Sequence, residues 1–386
     1  MVHNYYQQRG GEDESTDQEF RLLSRFGHEV QLFSRHNDDI NTYSLAQKSL
    51  LYFEPSWSNS SYNQILDEIH QFRPDIVHVQ NFFALISPAV FYACSKNEIP
   101  VVFTLRDYRL LCPIGWFFRD GKVCEDCLSG SLWKGIFHKC YHKSALQTSS
   151  IALLLKSHRI IGTWHKNINK FIALTEFSRM KFIEGGLPSE QIVVRPNFLE
   201  QDPGIGEKTQ SYFIFIGRLS IEKGLDVLLN AWKLLPNVEL KIIGDGPLRG
   251  WVDEFIVYNQ LENVEVLGFQ RIEDVLILLK SASCLVMPSK WYETFGRTII
   301  EAYATATPVI SSKLGAMADI VIDHETGLFF APGDALDLVE KVNYAINHPL
   351  ELERWGKNAR EEYESQYSDS IAYDRILDIY NSVLKS

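Results

Sequence analysis

The chain has 386 residues, of which 45% are hydrophobic and 23% charged, and this composition predicts a globular protein with two or three domains. Its net charge of −11 argues against a nucleic-acid binder, because a phosphate backbone requires an electropositive surface. The longest aliphatic run, residues 151–155, is far shorter than the roughly 20 residues of a membrane span. The first thirty residues are polar and lack the apolar core of a signal peptide, which predicts a cytoplasmic protein with reduced cysteines.

Short runs rich in β-branched residues alternate along the chain with segments of helical periodicity, a pattern typical of βαβ units and parallel sheets. Strands are predicted at residues 29–33, 75–79, 100–105, 170–175 and 192–195 in the first half, and at 212–216, 238–243, 264–267, 284–287 and 308–311 in the second. A Rossmann-like domain normally starts with a buried strand of about five residues. Here only Met1, Val2 and His3 are available, so the first strand is predicted to be a stub, unless the domain starts upstream.

The polar segment 200–211 is the predicted linker between two doubly wound, Rossmann-like domains that face each other across a cleft. The predicted domains are residues 1–200, with a cysteine-rich insertion at about 108–143, and residues 201–369. A last helix at 370–386 has no strand partner, and it either stays with the second domain or crosses back to the first.

A basic and apolar stretch covers residues 127–175, which contain no acidic side chain. Its cations are Lys134, Lys139, Lys143, Lys156, Arg159, Lys166 and Lys170, and its apolar residues include Trp133, Phe137 and Ile160. Such a mixture is typical of a surface that lies on anionic lipid. A helix that packs on the core with a solvated basic side explains it equally well.

Two strand-to-helix connections carry charged residues in the second half. In the first, Gly217 and Arg218 follow a strand, and Lys223 precedes a helix, which places two cations near free helix N–H groups and suits a diphosphate. In the second, Glu293 lies in a loop and Glu301 eight residues later in a helix. A fully helical spacing would separate them by about 12 Å, which is wider than a typical glycosidase carboxyl pair. This separation suits two contacts on one extended ligand, although a surface carboxylate pair has the same spacing.

The order of these motifs resembles that of family-4 glycosyltransferases, which are retaining enzymes of the GT-B fold. The matching segments are G-R-x4-K-G at 217–224, I-I-G-D-G-P at 242–247, P-S before E-x7-E at 293–301, A-x-A-x3-P-V-I at 302–310 and E-T-G-L-F-F at 325–330. In the first half, Gly10-Gly11, P-D-I-V-H at 74–78 and Pro196-Asn197 also fit this family.

The resemblance implies a role for each matching residue. Arg218 and Lys223 would neutralise the donor diphosphate, and Glu301 would bind the ribose hydroxyls. Glu293 would hold the donor sugar together with backbone N–H groups near Phe295 and Gly296. Further expected contacts are Gly217 at the diphosphate turn, Leu267 and Gly268 beside the nucleobase, and Gly10 and Gly11 near the phosphates or the acceptor.

The implied function is transfer of a sugar, with retention and without a catalytic cofactor or metal, from a UDP- or GDP-sugar donor to a polysaccharide, lipopolysaccharide or lipid-linked acceptor. The alternatives are a nucleotide-sugar epimerase of the same fold and a non-catalytic nucleotide-sugar-binding protein. One departure concerns the histidine that the family often carries in the first domain, because Arg106-Asp107 stands at that place. Arginine cannot act as a base near neutral pH, so Arg106 is predicted to stabilise charge or clamp the acceptor, with Asp107 orienting it or binding a hydroxyl.

Four of the six cysteines cluster in the insertion: Cys112, Cys124, Cys127 and Cys140. A C-x2-C knuckle flanked by two further cysteines in a cytosolic protein indicates a four-thiolate zinc site more than disulfides. The sequence therefore predicts either a structural zinc ion that braces the insertion or a set of unligated, redox-labile thiols.

Overall fold

The computed structural model describes residues 1–7, 10–44, 51–128, 130–206 and 212–385. The chain divides into two compact units. The first consists of Met1–Phe117, Cys124–Asn197 and Ala372–Ser386, and the second of Phe118–Val123 and Phe198–Ile371. Within the predicted linker at 200–211, residues 207–211 lie outside the described ranges.

The first unit is built on a six-stranded parallel sheet with the order β2-β1-β3-β4-β7-β8. Strand β4 is buried along its whole length, as expected for a parallel sheet that helices cover on both faces. The elements of this part of the chain are β1 (Val2–Tyr5), α1 (Gly11–Arg25), β2 (Phe33–His36), α2 (Asp39–Thr42), α3 (Asn59–Phe72), β3 (Val77–Val79), α4 (Ala89–Lys96), β4 (Val101–Leu105), β5 (Phe118–Arg119), β6 (Lys122–Val123), α5 (Trp133–Phe137), α6 (Ala145–Ile161), α7 (Thr163–Lys166), β7 (Lys170–Ala173), α8 (Glu176–Glu184) and β8 (Ile192–Val194). Strands β5 and β6 form a separate antiparallel hairpin.

Strand β1 corrects the prediction of a stub, because it has four residues and lies inside the sheet between β2 and β3. Its register also moves the next strand. Val2 lies opposite Phe33, and the Phe33 N–H donates to the Met1 carbonyl oxygen at 2.9 Å. Strand β2 therefore begins at Phe33, where it gains a hydrogen-bonding partner, and the predicted strand at 29–33 was wrong by almost its whole length.

The second unit is also a parallel sheet of six strands, in the order β11-β10-β9-β12-β13-β14. The predicted strands at 212–216 and 284–287 have the same bounds in the structure. The elements of this part of the chain are β9 (Tyr212–Ile216), α9 (Leu225–Trp232), β10 (Glu239–Ile243), α10 (Arg249–Asn259), β11 (Val264–Gly268), α11 (Ile272–Ser281), β12 (Cys284–Met287), α12 (Arg297–Ala304), β13 (Val309–Ser312), α13 (Ala316–Ile320), β14 (Gly327–Phe330), α14 (Ala335–Asn347), α15 (Pro349–Glu362) and α16 (Asp369–Leu384), of which α16 belongs mostly to the first unit.

The strand order of the second unit creates a topological switch point. The chain moves outward from β9 through β10 to β11, then returns to the other side of β9 and continues from β12 to β14. The order thus reverses between the neighbouring strands β9 and β12, and ligands of open α/β sheets bind at the carboxyl ends of the strands at such a point. Strand β9 and helix α9 contribute Phe213, Leu228 and Trp232 to one buried hydrophobic core.

Helix α16 packs on the sheet of the first unit from Ala372 onward. Its Ile376 and Tyr380 are buried in a cluster with Leu23, Val102 and Ile172. The Tyr380 hydroxyl also lies 2.7 Å from His78 Nδ1. No helix in the described ranges is long and apolar enough to cross a membrane.

Candidate active site

The turn that carries Lys223 is fixed by glycine. A 3-10 turn, Ile221–Lys223, connects the loop after β9 to α9, and Gly224 follows it with a φ of +71°. A Cβ atom at Gly224 would lie 1.9 Å from the carbonyl oxygen of Pro288, in the loop after β12. The absence of a side chain thus serves both the left-handed backbone and the close approach of the two loops.

Lys223 and Glu293 meet where these two loops approach. Lys223 Nζ donates a hydrogen bond to Glu293 Oε1 at 2.6 Å, and Ser289 Oγ donates to the same oxygen at 2.8 Å. The lysine side chain is 21% exposed and the glutamate side chain 8%. The ammonium also lies 5.3 Å from the centroid of the Trp291 ring. One face of the cation is therefore held by protein groups, while part of it stays accessible.

Arg218 lies two residues after the end of β9 and is exposed. The residues on either side of Arg218 form backbone hydrogen bonds with the end of β10 and the loop after it. Gly217 N–H donates to the Ile243 carbonyl at 3.0 Å, and Leu219 N–H donates to the Asp245 carbonyl at 2.9 Å. This pairing fixes the backbone under Arg218 and leaves the guanidinium as an exposed cation at the carboxyl edge of the sheet.

Helix α12 brings Glu301 into the same region. Gly296, with a φ of +81°, ends the loop after β12, and the helix begins at Arg297. Glu301 is 5% exposed and accepts a hydrogen bond from Arg297 Nε at 3.1 Å, one helical turn away. Phe295 is buried beneath this loop. A buried, charge-paired carboxylate near a helix start is a different environment from the surface pair that spacing alone allowed.

Leu267 and Gly268 complete the edge at the end of β11. The Gly268 carbonyl accepts the N–H of Gly244 at 2.8 Å, so the loops after β10 and β11 are also joined. The structure thus places the predicted donor-side residues on the loops after β9 and β12, at the end of β11 and in α12. Sequence reasoning missed Ser289 and Trp291 there, although both lie inside the P-S-K-W segment that precedes Glu293.

In the first unit, Gly10 and Gly11 lie where the chain passes from β1 to α1. Gly10 has a φ of −134°, which any residue adopts. A Cβ atom on either glycine would meet no described atom within 4 Å. Among the described residues, neither the backbone nor the packing therefore requires glycine here, and a role of Gly10 and Gly11 near a ligand stays a prediction.

Arg106 directly follows β4 and lies among polar side chains of the first unit. Its side chain is 4% exposed. The guanidinium donates to Gln80 Oε1 at 2.7 and 3.0 Å, to Asn197 Oδ1 at 2.6 Å and to Glu19 Oε2 at 3.4 Å. Buried and engaged on every nitrogen, Arg106 positions these polar groups, and it also lines the small cavity that Glu12, Asp107 and Arg109 border. Its expected role toward a ligand stays a prediction.

Asp107, the next residue, belongs to a different cluster at the same sheet edge. It pairs with Arg109 at 3.1 Å and accepts a hydrogen bond from the Tyr6 hydroxyl at 3.4 Å. Burial and the nearby Asp107 raise the pKa of Glu12 well above its ordinary value. Glu12, Asp107 and Arg109 line a cavity of about 20 Å³, room for one water molecule. Sequence reasoning missed Glu12, whose place directly after Gly11 was the available signal.

The four clustered cysteines converge in the structure. A Cβ atom on Gly135 would lie 3.3 Å from Cys127 Sγ and 3.2 Å from Pro113, which follows Cys112. Cys140 N–H donates to the Gly135 carbonyl, and Cys124 N–H donates to the Phe117 carbonyl. Burial, together with the three neighbouring thiols, raises the pKa of the Cys127 thiol to about 12.

The sulfur atoms do not, however, form a closed metal site as they stand. Among the described residues no group of three or more His, Cys, Asp or Glu side chains is arranged to hold a metal ion. Burial raises the pKa of the Cys112 thiol overall, although the backbone N–H groups of residues 114–117 turn toward its sulfur and oppose this shift. Structural zinc at these four cysteines stays a prediction.

The fold defined by these two units is that of the GT-B glycosyltransferases. The HepE protein of Anabaena, whose crystal structure contains UDP, superposes with a TM-score of 0.68 at 19% identity, over 99% of each chain. The predicted fold class, two Rossmann-like units of the GT-B type, is confirmed.

The sequence comparisons give the family. The chain matches Glycosyltransferase Family 4 over residues 10–202 and Glycosyl transferases group 1 over residues 198–362. The first match covers half of the chain, and the protein belongs to this family.

Two curated relatives show how far the similarity extends. An uncharacterised glycosyltransferase of Methanocaldococcus jannaschii is 31% identical over 50% of this chain and 54% of its own length. The sulfoquinovosyl transferase SQD2 of Arabidopsis thaliana is 26% identical over 78% of this chain and 55% of its own length. The chain thus spans about half the length of the curated relatives it matches.

Proposed function

We propose that the protein transfers a sugar, with retention of anomeric configuration, from a nucleotide-diphosphate donor to a glycan or lipid-linked acceptor. The observation that carries this proposal is the pairing of Lys223 with Glu293 at the switch point of the second unit, beside Arg218 and Glu301. A partly exposed ammonium and an exposed guanidinium on adjoining loops suit a diphosphate, and the UDP in HepE favours uridine over guanosine as the base to test first.

The residues divide the reaction between them. Arg218 and Lys223 offset the charge that develops on the diphosphate as the bond between the anomeric carbon and its oxygen breaks. Glu301 accepts hydrogen bonds from the ribose, and Glu293 orients both Lys223 and the donor sugar. The acceptor oxygen attacks on the same face of the sugar, and its proton passes to the departing phosphate oxygen. Two fixed cations at the diphosphate supply the role that a metal has in other transferases.

The first unit supplies the acceptor side in this proposal. Asp107 and Glu12 line a small polar cavity at the carboxyl ends of β3 and β4. Carboxyl groups in such a place bind the hydroxyls of a sugar acceptor. We assign the acceptor to the polysaccharide, lipopolysaccharide or lipid-linked glycans of the cell surface, and the site of action to the cytoplasmic side of the membrane.

A screen of donors tests the proposal directly. UDP- and GDP-sugars are compared by thermal shift, because a ligand at one hundred times its Kd stabilises the folded state by about 2.7 kcal/mol. The stabilising donor is then incubated with an acceptor glycan while nucleoside diphosphate and the anomeric configuration of the product are measured. Stabilisation without release of diphosphate would identify a binding protein instead, and an epimerised donor would identify an epimerase.

A further inference from the structure

Helix α6 has two apolar faces. One faces the core and contains the buried residues Ile151 and Leu155. The other contains Leu146, Leu153 and Ile160, which are 68%, 39% and 76% exposed. Their spacing of seven residues corresponds to two helical turns, so the three side chains form one stripe along the helix. Core packing therefore explains only half of this helix.

The neighbouring helix α5 adds two large aromatic side chains. Trp133 is 69% exposed and Phe137 is 82% exposed, one turn apart. Helices α5 and α6 pack against each other. Five large apolar side chains on two adjacent helices exceed the scattered exposure that a protein surface normally shows.

The cations of the basic stretch differ in their exposure and in their hydrogen-bond partners. Lys139, Lys143 and Lys156 are exposed. Arg159, by contrast, donates to the Leu110 carbonyl from a partly buried position, and Lys170 donates to the Glu190 carbonyl. The solvent-facing charge of this region thus rests mainly on the lysines beside the two helices, in a chain whose net charge is −11.

We propose that α5 and the exposed stripe of α6 dock on a lipid bilayer with anionic headgroups. Aromatic and aliphatic side chains would enter the headgroup–acyl boundary, while the lysines contact lipid phosphates. A second copy of the chain fits less well, because an isologous interface would bring like charges together. Trp133 and Phe137 could stack on nucleic-acid bases, but Leu146, Leu153 and Ile160 offer no stacking surface, whereas a bilayer accommodates all five side chains. Docking does not depend on sugar transfer, since it needs no donor.

Vesicle cosedimentation of the full chain tests this proposal. Binding is measured on phosphatidylglycerol–phosphatidylcholine vesicles and on pure phosphatidylcholine vesicles. The double variant Trp133→Ser, Phe137→Ser should bind anionic vesicles at least about tenfold more weakly. Replacing Lys139, Lys143 and Lys156 by Gln should cost about fivefold for each lysine, with the difference shrinking at high salt.

The control is Val257→Ser, Tyr258→Ser on α10, which removes two side chains that are 77% and 87% exposed in the second unit. It should bind as the wild type does. The variant Leu153→Ser, Ile160→Ser provides a second, independent loss of apolar surface. Equal binding by all variants, or equal binding to neutral vesicles, would overturn the proposal. So would a wild-type dimer that the Trp133, Phe137 variant abolishes, which would assign this surface to a second copy.

Discussion

Lys223 Nζ and Glu293 Oε1 lie 2.6 Å apart and join the loops that leave β9 and β12, the two strands between which the chain order reverses. The contact places a cation at the crevice before any ligand arrives. Because Glu293 also accepts from Ser289, the geometry of the pair is fixed from two sides. An ammonium held in this way needs little reorganisation when charge develops on a diphosphate.

Lys223→Ala should therefore depress turnover more than donor affinity. Loss of one preorganised cation costs about 10²–10³-fold in kcat. Steady-state kinetics with the donor found by thermal shift measure this. The matched control is Lys290→Ala in the adjacent loop, whose ammonium pairs with Asp226 at 2.8 Å, and it should keep kcat within a few-fold. Equal effects of the two substitutions would remove Lys223 from the catalytic assignment.

Glu301→Ala should weaken donor binding. Hydrogen bonds to a charged group contribute about 1.5–3 kcal/mol, so Kd should rise by roughly ten- to a hundredfold. Isothermal titration with the nucleoside diphosphate alone isolates the effect, because the ribose is present and the sugar is not. Glu340→Ala on the exposed surface of α14 controls for the lost charge. An unchanged Kd for Glu301→Ala would place the ribose elsewhere.

Gly224→Ala should be severe because two requirements coincide at that position. The new Cβ atom would meet the Pro288 carbonyl oxygen at 1.9 Å, and the backbone has a φ of +71°. The loops after β9 and β12 must separate, which should lower the Tm and move Lys223 away from Glu293. Gly250→Ala in α10 is the comparison, since its Cβ atom meets nothing within 4 Å, and it should stabilise the protein by about 0.5–1 kcal/mol. A Gly224→Ala variant as stable and active as the wild type would contradict this account.

The positions of the predicted donor-side residues in the fold were predictable because these residues follow strands that the sequence marks clearly. Cys284–Met287 is a buried apolar run with turn residues after it, so Glu293 could be placed on the loop from sequence alone. The partner of Glu293 could not be predicted from sequence alone, because contact between Lys223 and Glu293 depends on which strands are neighbours in the sheet. That order is a property of the tertiary fold, not of any local pattern.

Arg106 shows why the acceptor side was harder. Local sequence identifies a charged residue at the end of β4, but its partners Glu19, Gln80 and Asn197 come from three other segments. The predicted bounds of strand β2 were wrong for a similar reason. Residues 29–33 have suitable apolar character, yet the pairing with β1 begins only at Phe33. The burial of Arg106 and the register of β2 depend on residues distant in the sequence, so the local sequence does not predict them.

The clustered thiols can be examined by metal analysis. If Cys112, Cys124, Cys127 and Cys140 hold a structural ion, the purified chain should contain about one zinc. Removal of zinc by a chelator should then free four thiols toward a thiol reagent and lower the Tm. Cys127→Ser should lose the metal, whereas Cys284→Ser, which changes a buried thiol in the other unit, should retain it. Negligible zinc with all four thiols reactive would leave only the redox-labile alternative.

The first unit should lose stability on mild acidification because of His78. Burial lowers the pKa of His78 to about 3, outweighing the attraction of Glu19. In the unfolded chain the pKa is about 6.5, so between these values the unfolded state binds a proton that the folded state excludes. The free energy of unfolding therefore has its full value, as far as His78 is concerned, above pH 6.5, and it falls by about 1.4 kcal/mol for each pH unit below that. Burial alone would raise the pKa of Glu19, but Arg195, His78 and Arg106 lower it overall. Loss of the Glu19 contribution therefore begins as the pH falls through the ordinary pKa of a glutamate, 4.5, and the window from pH 6.5 to 5 reports on histidine.

Urea unfolding at pH 7.5 and 5 measures the difference for the wild type, His78→Gln and His165→Gln. His78→Gln should be less stable at pH 7.5, because the ring nitrogens lie 2.7 Å from the hydroxyls of both Tyr380 and Thr104. Its loss of stability between the two pH values should be smaller than that of the wild type by about 2 kcal/mol. His165 is exposed, and its replacement should leave the wild-type dependence intact. If His78→Gln lost stability on acidification as steeply as the wild type, the buried ring would not be the group that excludes the proton.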